Sequence, residues 1–252
     1  LSISGALSVK ERVEFGENNE DKYSLKEMLQ FLRYKPIWAA FAATLIVGTG
    51  SSIAGGAGAY FYTYVLGDMK LMSGVSIIGL IASLVGIVMG PYLANRFGKK
   101  KVYLTAVIIS TVINMLRLLA IPSMILIYIS ALIGGVAGGW MVPVSTSIQA
   151  DNTTYVQYKT GKRAEAAIAS LTSFVSKVAQ GLGGAIPGYV IAAYGFVTGA
   201  SVQPESINTG IILCALILPL IFGILGSLIF GTQYTLDQKA VIEMDAKINR
   251  NN

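Results

Sequence analysis

The sequence has no histidine, one cysteine and few charged residues, and each scarcity excludes a class of protein. Without histidine, the 252-residue chain has no imidazole to ligate a metal or relay a proton. A single cysteine, Cys214, cannot form a disulfide within the chain, and in its apolar run it is expected to pack as a small apolar side chain. Charged residues make up 13%, whereas soluble domains carry about 25%. The composition therefore argues against a soluble globular enzyme.

Long apolar stretches dominate what is present. Hydrophobic residues make up 54% of the chain, and six stretches are each long enough to cross a bilayer as a helix, which needs about 20 residues. The fold class predicted is an all-α membrane protein with six transmembrane helices. The stretches are 37–66, 71–93, 102–121, 123–149, 165–194 and 207–230.

Lysine and arginine predict the orientation of these spans. If the six spans alternate in direction, 16 of the 19 basic residues fall on one side, and only Lys70 falls in a loop on the other. Positive residues favour the cytoplasmic side, so both termini are expected in the cytoplasm and the protein in the cell membrane. Because the positive charges lie in short loops between apolar runs, the net charge of +6 does not indicate a nucleic-acid partner.

Four regions follow from this pattern. Residues 1–9 are mostly apolar but too short to span, and we interpret them as the end of a truncated transmembrane helix, with a short interfacial segment as the alternative. Residues 10–36 form a cytoplasmic linker in which Ser24-Leu-Lys-Glu27 has a capping-box pattern. The helix it begins either lies on the inner membrane surface or is a solvated helix end. Residues 37–231 form the transmembrane domain, and 232–252 a cytoplasmic tail.

Small residues recur at four-residue spacing within the spans. Such pairs allow helices to approach closely in lipid, although glycine is common in transmembrane helices anyway. The pairs are Gly86/Gly90, Gly134/Gly138, Gly135/Gly139 and Gly184/Gly188.

Two cations lie within apolar stretches, while none of the 13 acidic residues lies in the middle of a span. Lys177 is several helical turns from either end of its stretch, so it is expected to face a wet cavity or a partner charge rather than snorkel to the interface. Arg117 shares a helical face with Asn114. It lies close to the outer end of its span, so we expect it to snorkel, with ligand binding as the alternative.

The segment Gly90-Pro-Tyr-Leu-Ala-Asn-Arg-Phe-Gly-Lys-Lys-Lys101 joins the second and third spans. It resembles the G-x-x-x-D-R-x-G-R-R loop of the major facilitator superfamily. In such a motif the glycine, here Gly98, allows a tight turn, and the cations can bond the carbonyls at a helix C-terminus. Asn95 replaces the usual acid, so a charge-relay role there is in doubt. The motif residues are Gly90, Asn95, Arg96, Gly98, Lys99 and Lys100.

Three further segments make the resemblance more specific. Tyr60-Phe-Tyr-Thr-Tyr-Val-Leu-Gly-Asp68 ends the first span, Ala150–Glu165 contains Lys159-Thr-Gly-Lys-Arg163, and Phe174-Val-Ser-Lys177 follows. Together they resemble the glycoside–pentoside–hexuronide:cation symporter family, over about residues 8–232. The resemblance implies the C-terminal half of a twelve-helix facilitator fold, with an N-terminal six-helix half as partner.

The resemblance also implies roles for individual residues. Lys177 matches the family lysine near the sugar and cation sites, and Thr172 and Ser173 match polar sugar contacts. Trp140 lies about two residues from a family aromatic that lines the sugar cavity, and its alternative is ordinary packing. The cytoplasmic gate corresponds to Asp151, Tyr155, Lys159, Arg163 and Glu165. These charges are alternatively a solvated surface.

The function implied is uptake of a sugar or glycoside coupled to sodium or a proton by alternating access. Because the family's cation-binding acids lie in the N-terminal half, the coupling cation is expected to bind mainly there. No nucleophile–base pair, metal cluster or phosphate loop is present in the sequence, so we expect no enzymatic activity and no other cofactor. Transport of another solute, such as an amphiphile, and a non-transporting membrane fragment or sensor are the alternatives.

Overall fold

Helices account for nearly all of the residues described by the computed structural model, which are 23–119, 123–200 and 202–251. The expected helix remnant at 1–9 and the linker up to residue 22 lie outside the described residues. The bounds are α1 Leu25–Gln30, α2 Lys35–Tyr60, α3 Lys70–Phe97, α4 Lys99–Leu119, α5 Met124–Thr160, α6 Glu165–Ala193, α7 Ser206–Ile212, α8 Leu218–Gln233 and α9 Gln238–Asn251.

Five continuous helical segments are long and apolar enough to cross a membrane, within the part of the chain that is described. They are α2 extended by the π-helical turn Phe61–Val65, then α3, α4 and α5, and finally α7 and α8 joined by the π-helical turn Leu213–Ile217. The remaining long helix, α6, has 29 residues. It is long enough to span but less apolar, because it carries Lys177 and several hydroxyl side chains.

The capping box at Ser24 is confirmed. The Ser24 hydroxyl accepts from the Glu27 backbone N–H at 3.3 Å, and the Glu27 carboxylate accepts from the Ser24 backbone N–H at 2.8 Å. The hydrogen bonds that the Glu27 carboxylate accepts from the Ser24 backbone N–H and from the Ser24 hydroxyl lower the pKa of Glu27. Phe31, one turn later, is buried against Ile37 and Ile168. One side of this short segment therefore packs on the helix bundle itself.

The six long segments are joined side by side in the order α3, α5, α4, α8, α2, α6. Helix α3 packs mainly on α5, α4 bridges α5 and α8, and α2 packs on α8 and α6. By contrast, α2 barely touches α5, and α5 makes little contact with α6. A gap therefore runs between α5 on one side and α2 and α6 on the other.

Glycines bring α3 and α5 into backbone contact. A Cβ on Gly86 would overlap the carbonyl of Val136, and a Cβ on Gly139 would overlap the carbonyl of Ser83. The close packing predicted for Gly86/Gly90 and Gly135/Gly139 is thus confirmed. The prediction is wrong for Gly138, Gly184 and Gly188, which have open space around them in the described part of the chain.

Two helices extend past the ends predicted from hydrophobicity. The apolar stretch ending near residue 149 belongs to α5, which continues to Thr160. Polarity marks where a span leaves the hydrocarbon, whereas a helix ends where a residue breaks it. Here that residue is Gly161, in the left-handed conformation with φ 71°. The residues predicted for the cytoplasmic gate therefore lie mostly on helices.

The segment from Gly90 to Lys101 is likewise not a loop. Helix α3 includes Pro91 and ends at Phe97, and α4 begins at Lys99. The connection is the single residue Gly98, whose φ of 87° suits glycine alone. We call the end of the bundle that holds the Gly98 and Gly161 turns the basic end.

Candidate functional site

The gap between α5 and the α2–α6 pair contains a cavity of about 310 Å³. Helices α2, α5 and α6 form its walls, and Tyr103 of α4 and Phe230 of α8 also line it. We call it the central cavity. Its volume is at the lower end of the range for small-molecule sites, about 300–1,000 Å³.

Neutral polar side chains line much of this cavity. Apart from the phenol of Tyr103, the lining contains no ionisable group within the described residues. Such a surface offers hydroxyl and amide groups to a solute without placing a charge against it. The polar lining residues are Thr44, Ser51, Ser145, Thr146, Gln149, Asn152, Thr172 and Ser176.

Two of the lining threonine hydroxyls already donate a hydrogen bond to a carbonyl of their own helix. Thr44 donates to Ala40 O at 2.8 Å, and Thr172 donates to Ile168 O at 2.8 Å. A hydroxyl that donates to its own helix keeps its lone pairs, so these groups are placed to accept from a solute. Asn152 is 4% exposed, and its Oδ1 has no partner among the described residues. A buried polar atom without a partner is a place where a ligand or water is expected to bond.

The predicted sugar contacts are only partly brought together. Thr172 lines the central cavity, but neighbouring Ser173 is exposed and outside the lining. Trp140 packs against the core cluster that includes Val107, Val144 and Phe230, and it does not line the cavity. This location matches the packing alternative for Trp140. Its indole Nε1 is nevertheless buried and has no partner in the described ranges.

Lys177 lies beside the cavity and faces away from the six helices. It follows the cavity-lining Ser176, yet its own side chain is exposed and has no hydrogen bond or ion pair within the described part of the chain. It lies twelve residues into α6, about 18 Å from the start of the helix. At that depth an exposed ammonium in lipid costs about 2.5–3.5 kcal/mol on insertion scales. The side chain therefore needs another protein surface or water against it.

The predicted gate residues lie at the basic end. Asp151, Tyr155 and Lys159 follow one another at four-residue spacing on α5 and so share a face. The Tyr155 ring contacts Tyr34 edge to face at 5.7 Å, and the Lys159 ammonium lies 5.8 Å from the Tyr155 ring centroid. Arg163 is exposed between α5 and α6. Glu165, also exposed, is the first residue of α6, where its charge favours the helix N-terminus.

An ion pair joins two motifs that are far apart in sequence. The Lys99 ammonium donates to Asp151 Oδ1 at 2.6 Å, and these side chains are 20% and 11% exposed. Asp151 is 27 residues into α5, about 40 Å from its start. It therefore lies beyond a hydrocarbon core of about 30 Å. The pair joins α4 to α5 at the basic end.

The remaining motif residues have structural and surface positions. Lys100 donates to the Tyr234 carbonyl, beyond the end of α8, at 2.6 Å, as expected of a cation near a helix C-terminus. Gly90 contacts Trp140 and Pro143 of α5. Asn95 and Arg96 are exposed, and Arg96 donates to the Tyr92 hydroxyl at 3.2 Å.

Most cavity-lining residues were missed from the sequence, although a signal was present. Ser145, Gln149 and Asn152 lie at spacings of four and three on α5, and Thr44 and Ser51 lie seven apart on α2. Polar side chains at helical spacing within an apolar helix mark a wet face. The family resemblance pointed to Lys177 and Trp140 instead, so these rows of polar residues on α2 and α5 were not considered.

Comparison with known proteins identifies the family. Residues 2–238 match the family described as MFS/sugar transport protein. The chain is 30% identical to the "Uncharacterized symporter YnaJ" of Bacillus subtilis over 92% of this chain and 50% of that protein. It is 28% identical to the "Glucuronide carrier protein homolog" of Escherichia coli, over 88% of this chain and 50% of the relative. It is 26% identical to the "Isoprimeverose transporter" of Lactiplantibacillus pentosus, over 80% of this chain and 42% of the relative.

The family and these relatives are transporters rather than enzymes, so the prediction of a non-enzymatic, multi-pass membrane protein is confirmed. The chain spans about half the length of the curated relatives it matches. Its six long helical segments correspond to half of a facilitator fold. The chain belongs to the MFS/sugar transport protein family of the major facilitator superfamily.

Proposed function

We propose that this chain supplies the C-terminal six-helix half of a symporter that carries a sugar or glycoside together with sodium or a proton. The observation that carries the proposal is the central cavity, whose hydroxyl and amide lining is suited to a hydroxylated solute. Two of the relatives are named as carriers of a sugar or sugar derivative, which agrees with this proposal. Alternating access then opens the cavity to one side of the membrane at a time.

The proposal requires a second six-helix half. Lys177 is exposed beside the cavity, and no carboxylate is among the residues that line the cavity. A sodium ion prefers oxygen ligands, with carboxylates the strongest. We therefore assign the coupling cation and its acidic ligands mainly to the N-terminal half, with Lys177 facing those acids across the interface.

The ion pair at the basic end has a role in this scheme. Lys99 and Asp151 tie α4 to α5 at the basic end, Lys159 lies further along α5 near the Tyr155 ring, and Arg163 is exposed in the turn between α5 and α6. We assign this group to the cytoplasmic gate. Closure on that side shields these charges between helices, and opening exposes them to water.

Uptake by variants of two neighbouring residues tests the role of the cavity. Thr172→Val keeps the shape but removes the acceptor oxygen that lines the cavity, so we expect sugar affinity to fall about fivefold, or about 1 kcal/mol for one neutral hydrogen bond. Ser173→Ala is the matched control, because Ser173 is exposed outside the lining. Concentration-dependent uptake of labelled sugars measures both variants. Equal affinities would count against the cavity as the sugar site.

Cysteine labelling in sealed cells tests the orientation. The basic asymmetry predicts that the Gly98 turn is cytoplasmic and that the loop after α6 faces outward. Val202→Cys, at a position 83% exposed, should react with a membrane-impermeant maleimide, whereas Lys101→Cys should react only after permeabilisation. Buried Cys214 serves as the internal negative control. Reaction of Lys101→Cys in intact cells would reverse the topology.

A further inference from the structure

A second cavity, of about 280 Å³, lies between α3, α4 and α5 and does not share a residue with the central cavity. We call it the Arg117 pocket. Arg117, Asn114 and Ser110 of α4 line it at helical spacing, and Ser130 of α5 lies opposite. The other lining residues are apolar or glycine: Val75, Gly79, Ile113, Ala131, Gly134 and Gly135.

Arg117 does not snorkel outward as expected. Its Nε donates to the Ser130 hydroxyl at 2.5 Å, and Ser130 is only 6% exposed and donates in turn to the Ile127 carbonyl at 2.6 Å. This chain of bonds holds the guanidinium inside the pocket. An arginine fixed through Nε still presents the N–H groups of its two terminal nitrogens.

The charge of Arg117 has no counter-ion in the described ranges. Within 23–119, 123–200 and 202–251, the ion pair found is Lys99–Asp151, at the basic end. The residues that line the pocket with Arg117 are two serines, an asparagine, glycines and residues with apolar side chains, and none is acidic. Partly buried cations are normally paired, so the pocket has one positive charge to be neutralised by a ligand.

The position of the pocket indicates which anions reach it. Arg117 is two residues from the end of α4, opposite the basic end, and so lies near headgroup depth in a bilayer. Exposed apolar side chains occur on the same helices within two residues of lining positions, at Ile77, Met115 and Leu116. Acyl chains lying on these side chains would bring a headgroup to the mouth of the pocket.

We propose that the Arg117 pocket binds a phosphate oxyanion, with the guanidinium as the charged donor and Asn114 and Ser110 as neutral donors. Arginine matches the geometry of phosphate oxygens and is weakly hydrated. The same chemistry is offered by the phosphodiester of an anionic phospholipid and by free phosphate. The site is independent of the proposed sugar transport.

Thermal unfolding of the protein, isolated from its membrane in detergent, tests the proposal. Three additions are compared: dioleoyl phosphatidylglycerol, the phosphate-free diacylglycerol with the same acyl chains, and inorganic phosphate. We expect phosphatidylglycerol to raise Tm above the value with diacylglycerol. Arg117→Gln should weaken that binding about tenfold or more, because it removes charge-assisted hydrogen bonds. Arg250→Gln, at an exposed arginine of α9, is the matched control and should bind as the unsubstituted protein does.

A second variant guards against a folding defect in Arg117→Gln. Gly134→Val fills the pocket while leaving Arg117 in place, since a Cβ on Gly134 meets only Ile113 Cδ1, at 3.8 Å. It should also lose the protection. Protection by inorganic phosphate that depends on Arg117 would identify a free anion as the ligand. Equal Tm values with phosphatidylglycerol and diacylglycerol, without protection by phosphate, would overturn the proposal, as would protection that persists in both variants.

Discussion

Replacing Gly139 with alanine is expected to abolish folding, whereas the same change at Gly138 should be tolerated. A methyl group on Gly139 would overlap backbone atoms of Ser83 in α3, and backbone cannot move aside as the end of a side chain can. Overpacking typically costs about 1–3 kcal/mol and occasionally more, and a clash with unyielding backbone belongs at the upper end, a large fraction of a stability of about 5–15 kcal/mol. At Gly138 no atom of a neighbouring described helix lies within 4 Å of the added group.

Size-exclusion chromatography of fluorescent fusions in mild detergent measures this difference directly. The Gly139→Ala protein should run as aggregate or be degraded, while Gly138→Ala should run as the parent does with a Tm within a few degrees. The two variants have the same composition and adjacent positions, so a difference reports only on packing against α3. If Gly139→Ala were folded and as stable as Gly138→Ala, the close approach of α3 and α5 would be wrong.

Replacing Lys177 with alanine is expected to abolish coupled uptake in the assembled transporter while leaving membrane insertion intact. Under the proposed function, the ammonium faces carboxylates of the N-terminal half. Its removal leaves those acids buried without a partner, which raises their pKa and favours protonation over cation binding. Lys177→Arg should restore uptake only in part, because a planar guanidinium has a different geometry.

The measurement is sugar uptake at varied sodium concentration and pH, normalised to surface expression. Gln180→Ala is the matched control, because Gln180 is also exposed and lies one turn further along α6. It should transport at the parent rate. Transport by Lys177→Ala with unchanged dependence on sodium and pH would show that the lysine does not take part in coupling.

The helical architecture could be predicted because its causes are local. Apolar runs of sufficient length located the long segments, Ser24 and Glu27 formed their capping box, and Gly98 formed the turn that its backbone conformation requires. The ends of α3 and α5 were misplaced for a local reason as well. Hydrophobicity falls where a helix leaves the membrane, but the backbone remains helical until Gly98 and Gly161.

The candidate site was less predictable because its residues meet only in the folded bundle. Lys99 and Asp151 are 52 positions apart, and spacing within one helix cannot show that they pair. Glycine pairs looked alike in sequence, yet only those facing a neighbour have a packing role, and that depends on how each helix is rotated. The Arg117 side chain turns into its pocket because it bonds Ser130, which lies on the next helix.

Two consecutive lysines at the start of α4 bind different neighbours: Lys99 holds α5 through Asp151, and Lys100 holds the chain just beyond α8 through the Tyr234 carbonyl. Together these two bonds restrain three helices against one another at this end of the molecule. Sliding or rotating α4 against either neighbour must break at least one of these bonds, whereas moving all three helices together breaks neither. Any large motion at this end of the molecule that keeps both bonds therefore carries α4, α5 and the end of α8 together.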